Sequence, residues 1–179
     1  MSESPAGTPE NWKRHLHLLL TLNTLSHVQN AGGRFAVLLF AVHQQASPIV
    51  VGLLVGMYSL VPALTSVSIG RLLDKSRALR MPLAVAGLVT AAGSLLPFFW
   101  ESITSLFICS LITGGAFNIC RIANQQMTGR YGTPAERPAN YAFYAQMLAV
   151  GNFVAPLIGG FAIDHVGFRY AFLVLAVLS

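Results

Sequence analysis

The chain has 179 residues, of which only 9 % are charged and 54 % are hydrophobic, and its formal net charge is +5. Soluble domains carry about 25 % charged residues, so this composition excludes an ordinary soluble domain and predicts an all-α membrane protein. The basic residues lie beside long apolar runs, which indicates membrane topology and contact with anionic lipid. No basic patch is interleaved with aromatic residues in the way RNA binding requires.

A membrane crossing needs about 20 predominantly apolar residues. By this measure we predict six spans, near residues 16–42, 49–69, 82–100, 103–127, 140–163 and from 168 onward. We expect residues 1–14 to form a polar tail and 15–179 to form one transmembrane domain. The apolar run after the tail is too long for the core of a signal peptide, so it is interpreted as a retained first span.

The basic residues alternate between the two sides of the predicted spans. The segments on one side contain Lys13, Arg14, Arg71, Lys75, Arg77, Arg80, Arg130 and Arg137. The segments on the other side contain Arg169 alone. The positive-inside rule therefore predicts a cytoplasmic amino terminus and a cytoplasmic segment between spans two and three, in the plasma (bacterial inner) membrane.

Four polar residues of the first span are spaced four, three and four apart: Asn23, His27, Asn30 and Arg34. Such spacing places them on one side of a helix. An arginine at the centre of a lipid-facing helix costs about 2.5–3.5 kcal/mol, so this polar stripe must face protein or water. It forms either a water-lined substrate pathway or a hydrogen-bonded seam between helices. His27 is either a deep group that titrates near neutral pH or a neutral, hydrogen-bonded histidine.

A second polar group lies in the fourth span, where Asn118, Arg121 and Gln125 share a face. Arg121 either reaches the membrane surface with its long side chain or lines the pathway. Arg34 and Arg121 are displaced in opposite directions from the centre, about 18 Å apart along the membrane normal. We therefore do not expect them to bind one small anion together.

Small residues form two further patterns. In the second span they recur on one face, at Gly52, Gly56, Ser59, Ala63, Ser66 and Gly70. In the fifth span Gly151, Ala155 and Gly159 form a ridge, and Pro156 removes a backbone donor and bends the helix. Small faces allow close helix packing in lipid. The second-span face contacts either a neighbour in the same bundle or a partner domain. We expect both small surfaces and the polar stripe to lack a partner within this chain.

The segment between spans two and three resembles that of major facilitator superfamily transporters, Gly-x-Leu-x-Asp-Arg/Lys-x-Gly-Arg. Gly70, Leu72, Asp74 and Lys75 match this pattern, whereas Arg77 and Ala78 depart from it. The fifth span is similar to the Gly-x-x-x-Gly-Pro-x-x-Gly-Gly motif of the family's drug/proton antiporters. Gly151, Pro156, Gly159 and Gly160 match it, and Ala155 replaces one glycine.

This resemblance implies the amino-terminal half of such a transporter, a bundle of six helices built as two inverted three-helix repeats. It implies alternating access, with Asp74 on a switch loop that interacts with the carboxyl-terminal domain. The expected function is proton-coupled efflux of a small molecule, with no cofactor and no metal. Uptake of a small organic anion, suggested by Arg34 and Arg121, is the alternative. A non-transporting receptor or scaffold is a third possibility.

No enzyme signature is present, neither a Gly-x-Ser-x-Gly elbow nor a His-Glu-x-x-His pair. The sixth span, from Phe168 to Ser179, provides about 18 Å of helix against a hydrocarbon core of about 30 Å. We therefore expect a truncated sixth helix and a missing carboxyl-terminal six-helix half as the main partner, besides lipid, substrate and protons. A homodimer of a short protein is the alternative.

Overall fold

The computed structural model of the chain describes residues 9–75, 79–131 and 133–178. These residues form five helices: α1 (Pro9–His43), α2 (Pro48–Lys75), α3 (Arg80–Phe99), α4 (Ile103–Arg130) and α5 (Arg137–Val177). No strand occurs in these three ranges, so the prediction of an all-α protein is confirmed for them.

Serine side chains cap the amino-terminal ends of two helices, α4 and α2. Ser102 precedes α4 in an extended conformation, and its Oγ accepts a hydrogen bond from the Thr104 amide at 3.3 Å. At the start of α2 the Ser47 Oγ accepts from the Val50 amide at 3.4 Å. Serine is favoured before a helix because its hydroxyl satisfies an amide that has no partner within the helix.

The fifth helix is interrupted at Gly167, where φ is +80° and ψ is 168°. Glycine adopts this left-handed conformation without the steric cost that other residues meet. The expected outer connection, residues 164–168, is thus wrong in its extent, because the helix continues through residue 166 and resumes directly after the break. The predicted start of a sixth span at residue 168 coincides with the residue at which the helix continues after Gly167.

Four of the helices in the described ranges, α2 to α5, are long and apolar enough to cross a membrane. The first helix is not among them, and it carries the polar stripe described above. The predicted bundle of membrane helices is therefore confirmed, while its division into six spans and two inverted repeats stays a prediction.

The fourth helix occupies the middle of the bundle, because it packs against all four of the others. At Gly114 it approaches α2 so closely that an added Cβ would lie 2.7 Å from the Tyr58 carbonyl oxygen. A cluster of buried apolar side chains joins α1, α2, α4 and the last part of α5, and it includes Val37, Phe40, Leu54, Tyr58, Leu106, Phe172 and Leu175. This packing fixes how the polar side chains of α1 meet those of α4 and α5.

The charged segment after the second span is more helical than expected. Gly70 to Lys75 form the last part of α2 and are not a loop, because α2 ends only at Lys75. Arg77 and Ala78, where the family pattern degrades, lie outside the described residues, as do Lys13's side chain and most of the polar tail. The membrane side of the basic residues stays a prediction.

Candidate functional site

The polar stripe of α1 meets α4 at its amino-terminal end. Asn23 is buried, and its Oδ1 accepts a hydrogen bond from Asn124 Nδ2 at 2.7 Å. Its own Nδ2 is buried without a hydrogen-bond partner among the described residues. The expectation that the polar stripe lacks a partner within this chain is therefore wrong, because at this level it forms a hydrogen-bonded contact between α1 and α4.

One turn further along α1, His27 lies against α5. Its Nε2 is 3.0 Å from Asn152 Oδ1, and its ring centre is 5.6 Å from that of Phe117 on α4. The neighbouring Gly151 is in close contact, since an added Cβ there would lie 2.9 Å from His27 Cδ2. The second ring nitrogen, Nδ1, is buried and has no hydrogen-bond partner within the described part of the chain.

The other end of the stripe is divided between the interior and the surface. Asn30 is buried, and its Nδ2 has no partner among the described residues. Arg34 is exposed, and its guanidinium carbon lies 5.7 Å from the centre of the Tyr58 ring. This distance is in the range of a cation–π interaction, which holds the arginine at the edge of the α1–α2 contact.

The polar face of α4 is also divided. Asn118 is buried between helices and donates from Nδ2 to Ser66 Oγ on α2 at 3.1 Å. Its Oδ1 accepts from Arg121 Nη2 at 3.4 Å. Arg121 and Gln125 are exposed. The structure therefore places Asn118 in the α2–α4 contact and leaves the other two on the surface of the bundle.

The residues of the family pattern at the end of α2 are linked to α4 through Gln126. The Asp74 carboxylate accepts a hydrogen bond from Gln126 Nε2 at 2.7 Å, and Gly70 contributes its carbonyl oxygen 3.5 Å from the same nitrogen. Leu72 and Lys75 are exposed. The predicted switch segment is thus linked to the central helix by hydrogen bonds from Gln126 and by packing of Leu73 against Ala123.

The ridge on α5 has a partner, contrary to our expectation. Ala155 is fully buried, and an added Cβ on Gly32 of α1 would lie 3.3 Å from the Ala155 carbonyl oxygen. Gly159 also packs against α1, because an added Cβ on it would lie 3.4 Å from the Gly32 carbonyl oxygen. The expectation was wrong since α1 offers its own glycine opposite the ridge. Pro156 is half-buried, and Gly160 points toward Phe35 with its Cβ position 3.9 Å away.

The small-residue face of α2 has different surroundings. An added Cβ at Gly52, Gly56 or Gly70 would meet no described atom within 4 Å. Ser59 and Ala63 are exposed. Ser66 is engaged by Asn118, and the Gly70 carbonyl oxygen accepts from Gln126. Most of this face therefore has no partner among the residues that the structure describes, as expected.

Four residues that meet the candidate site were absent from the sequence prediction: Asn124, Gln126, Tyr144 and Asn152. Asn124 and Gln126 flank Gln125, so a search limited to one helical face missed them. Asn152 is the polar residue within the fifth-span motif, which was a usable signal. Tyr144 is buried beside Asn23, and its aromatic ring gave no reason to separate it from core residues.

Metal and disulfide chemistry find no support in the described residues. No group of three or more potential metal-ligating side chains occurs in them. Cys109 and Cys120 are both buried and free.

Comparison with known proteins identifies the family. The family model described as Major Facilitator Superfamily matches residues 19–179, so the chain belongs to this superfamily. Its members are membrane transporters, which confirms the predictions of a non-enzymatic, multi-pass integral membrane protein. A comparison with curated proteins gave no match.

Among solved structures, the chain is similar to a mutant of the peptide transporter POT in complex with sulfate. The TM-score is 0.80 at 17 % sequence identity, and the match covers 92 % of this chain and 35 % of that one. The two proteins therefore share a fold, and this chain spans about a third of the length of its structural neighbour.

Proposed function

We propose that this chain forms one half of a secondary active transporter that moves a small molecule by alternating access, coupled to protons. The observation that carries proton coupling is the position of His27. It lies midway along α1 with one ring nitrogen bonded to Asn152 and the other unpartnered. An ionisable residue inside a membrane domain that contacts a second helix is typical of proton relays.

The direction of transport, efflux, rests on the resemblance of the fifth-helix residues Gly151 to Gly160 to the drug/proton antiporter motif. Asp74 is proposed as the conformational switch together with Gly70, Leu72 and Lys75. Its hydrogen bond to Gln126 supports this role, because it connects the end of α2 to the helix that carries Arg121.

The proposed substrate pathway contains Asn23, His27, Asn30, Arg34, Asn118, Arg121 and Gln125. Of these, Arg121, Gln125 and Arg34 are exposed and are the direct contacts that we propose. The buried asparagines support them from behind. The proposed function does not require all seven residues to contact the substrate directly.

A small organic anion is the second candidate substrate, and one observation favours it. Two buried amide donors near the pathway, the Nδ2 atoms of Asn23 and Asn30, have no hydrogen-bond partner among the described residues. The charged groups of the proposed pathway are Arg34 and Arg121. Donors and guanidinium groups bind carboxylates well. The carboxylates Asp74, Glu101, Glu136 and Asp164 all lie near helix ends or the Gly167 break.

The rest of the transporter is proposed to cover the open face of α2. Its glycines have no described side chain or neighbouring helix within 4 Å of an added Cβ, and the structural neighbour is more than twice as long as this chain. Either a second six-helix half or a second copy of the chain satisfies this requirement. The amino terminus is proposed to lie in the cytoplasm of a plasma membrane.

The test is transport by the full-length protein in sealed vesicles with an imposed proton gradient. Ethidium serves as a drug-like probe and carboxyfluorescein as an organic anion. Gradient-driven movement of ethidium supports efflux, whereas movement of carboxyfluorescein supports the second candidate. We expect His27→Gln to shift the pH dependence of transport. If neither probe moves and protons do not cross the membrane, the transporter proposal is rejected in favour of a receptor or scaffold role.

A further inference from the structure

The contact between His27 and α5 has a chemical consequence that the position of His27 alone does not have. Asn152 presents Oδ1 to His27 Nε2 at 3.0 Å. With Oδ1 of Asn152 facing the ring, the amide oxygen can only accept a hydrogen bond, and this contact favours the tautomer with its hydrogen on Nε2. In a neutral imidazole the other nitrogen then holds a lone pair, and this nitrogen is the buried, unpartnered Nδ1.

The backbone next to Asn152 fixes the ring position. Gly151 allows the imidazole to lie directly on α5, because any Cβ at this position would come within 2.9 Å of His27 Cδ2. Phe117 of α4 packs on the ring from another side, with ring centres 5.6 Å apart. One hydrogen bond and two packing contacts thus hold the imidazole in one orientation.

We propose that Gly151 and Asn152 form a seat for His27 that fixes its neutral form with the hydrogen on Nε2, so that Nδ1 is the nitrogen that accepts the coupled proton. The seat rests on the proposed function. The proton adds to the Nδ1 lone pair and gives an imidazolium, while the hydrogen bond from Nε2 to Asn152 is kept. Release reverses the same step, so no other bond is made or broken.

The groups around His27 are consistent with this assignment. The charged group that acts on it is Arg121 of α4. On α5 the contacting residues Gly151 and Asn152 do not ionise, and the titratable Tyr144 lies about two turns away. Arg34 is the next charged residue on α1, again about two turns away. With no carboxylate in contact, the orientation of the ring depends on the amide of Asn152.

The seat gives the first part of the fifth-helix motif a role in positioning a side chain. Gly151 belongs to the α5 ridge by its spacing, yet its nearest atom is His27 Cδ2, whereas Gly159 faces the α1 backbone. Asn152 is a positioning residue in this assignment, since it acts on the proton through His27.

The test is direct observation of the ring. The full-length protein, labelled with ¹⁵N-histidine and placed in lipid nanodiscs, gives nitrogen spectra that distinguish the two neutral tautomers of each histidine. The His27 signals are identified by their loss in His27→Gln. We expect the Nε2–H form in the unmodified protein at alkaline pH. In Asn152→Leu we expect a mixture of both forms, and in Asn152→Gln, which restores an amide oxygen, a return toward the Nε2–H form.

Two matched controls separate the seat from general disturbance of α5. Gln146→Leu makes the same polar-to-apolar change at another exposed position of α5 and should leave the His27 signals unchanged. Gly151→Ala should displace the ring, whereas Gly160→Ala should not, because its Cβ would lie 3.9 Å from its nearest neighbour. If Gly151→Ala does not fold, the Asn152 series still decides the question.

Vesicle transport of ethidium and carboxyfluorescein, measured on the same variants, distinguishes the seat from the function. We expect Asn152→Leu to move the midpoint of the pH profile by about 0.5 unit or more, without a matching effect of Gln146→Leu. An Nδ1–H form in the unmodified protein, or a tautomer and pH profile that Asn152→Leu leaves unchanged, overturns the seat. If the tautomer responds as expected while neither probe moves, the seat stands and the proposed function fails.

Discussion

The small-residue surfaces of α2 and α5 have the same kind of sequence pattern and opposite surroundings. On α5, Ala155 and Gly159 pack against Gly32 of α1. On α2, Gly52 and Gly56 meet no described atom within 4 Å. Spacing of small residues predicts that a helix can be approached closely, but the partner is decided by whether another helix of the chain presents a matching small residue. The α1 helix does so for α5, and none of the helices in the described ranges does so for the glycines of the α2 face.

The most severe effect is expected at Gly32 of α1, which packs against the small-residue ridge of α5. In Gly32→Leu the first added carbon would lie 2.9 Å from Leu175 Cδ2 and 3.3 Å from the Ala155 carbonyl oxygen. Overpacking of this kind costs about 1–3 kcal/mol or more, so we expect a loss of folded protein or a clearly lowered melting temperature. Thermal unfolding of the purified full-length protein in detergent measures this. Unchanged stability would show that α1 and α5 do not pack at this point.

The next effect is expected at the carboxyl-terminal end of α2 and concerns transport, not stability. Asp74→Asn keeps the size of the side chain and an oxygen for Gln126, but it removes the negative charge. If the charge stabilises one conformation by about 1–3 kcal/mol, transport falls by about 5- to 150-fold, and we expect a severe loss with normal membrane insertion. Quantitative membrane immunoblots control for insertion, and Gln126→Leu should have a weaker effect. Normal transport by Asp74→Asn would exclude this segment from the mechanism.

A smaller effect on transport is expected from the open face itself. Gly56→Leu adds a side chain where no described atom is near, so the free energy of unfolding should change by less than about 0.5 kcal/mol. If the face closes against another part of the transporter, the leucine should hinder closure and reduce transport about fivefold, near the lower limit of such coupling. Wild-type transport would assign the face to lipid. A lowered melting temperature with lost transport would instead assign it to a static contact.

The comparison also shows which features the sequence could predict. Apolar runs placed the helices to within a few residues at most ends, because the length of a crossing is set by the membrane. They underestimated the lengths of the first and second helices. The first helix begins at Pro9, before its apolar run, and Gly70 to Lys75 continue α2 beyond its apolar part. The pairing of His27 with Asn152 joins positions 125 apart in the sequence, and a periodic pattern within one helix carries no information about such a pair.

The same limit explains how the candidate site was only partly predicted. The faces of α1 and α4 were found from spacing, yet Asn23 and Asn118 are buried in contacts with other helices while Arg121 is exposed. All have polar side chains at helical spacing. Which of them is covered depends on the angle at which the neighbouring helix crosses, and this angle results from packing at residues such as Gly114.

The smallest effect is expected from Gly52→Ala, which tests the comparison with the least disturbance. Its Cβ would meet no described atom within 4 Å, and alanine is favoured over glycine within a helix by about 0.8–1 kcal/mol in water. We therefore expect unchanged or slightly higher thermal stability and near-normal transport. Gly32→Ala is the matched variant on the packed side, where the same methyl group meets Leu175 and Ala155 and should lower the melting temperature. If both alanine variants have the same stability, the difference between the two surfaces is not one of packing. If Gly52→Ala is the less stable of the two, α2 is the helix whose small face is tightly covered in the assembled protein.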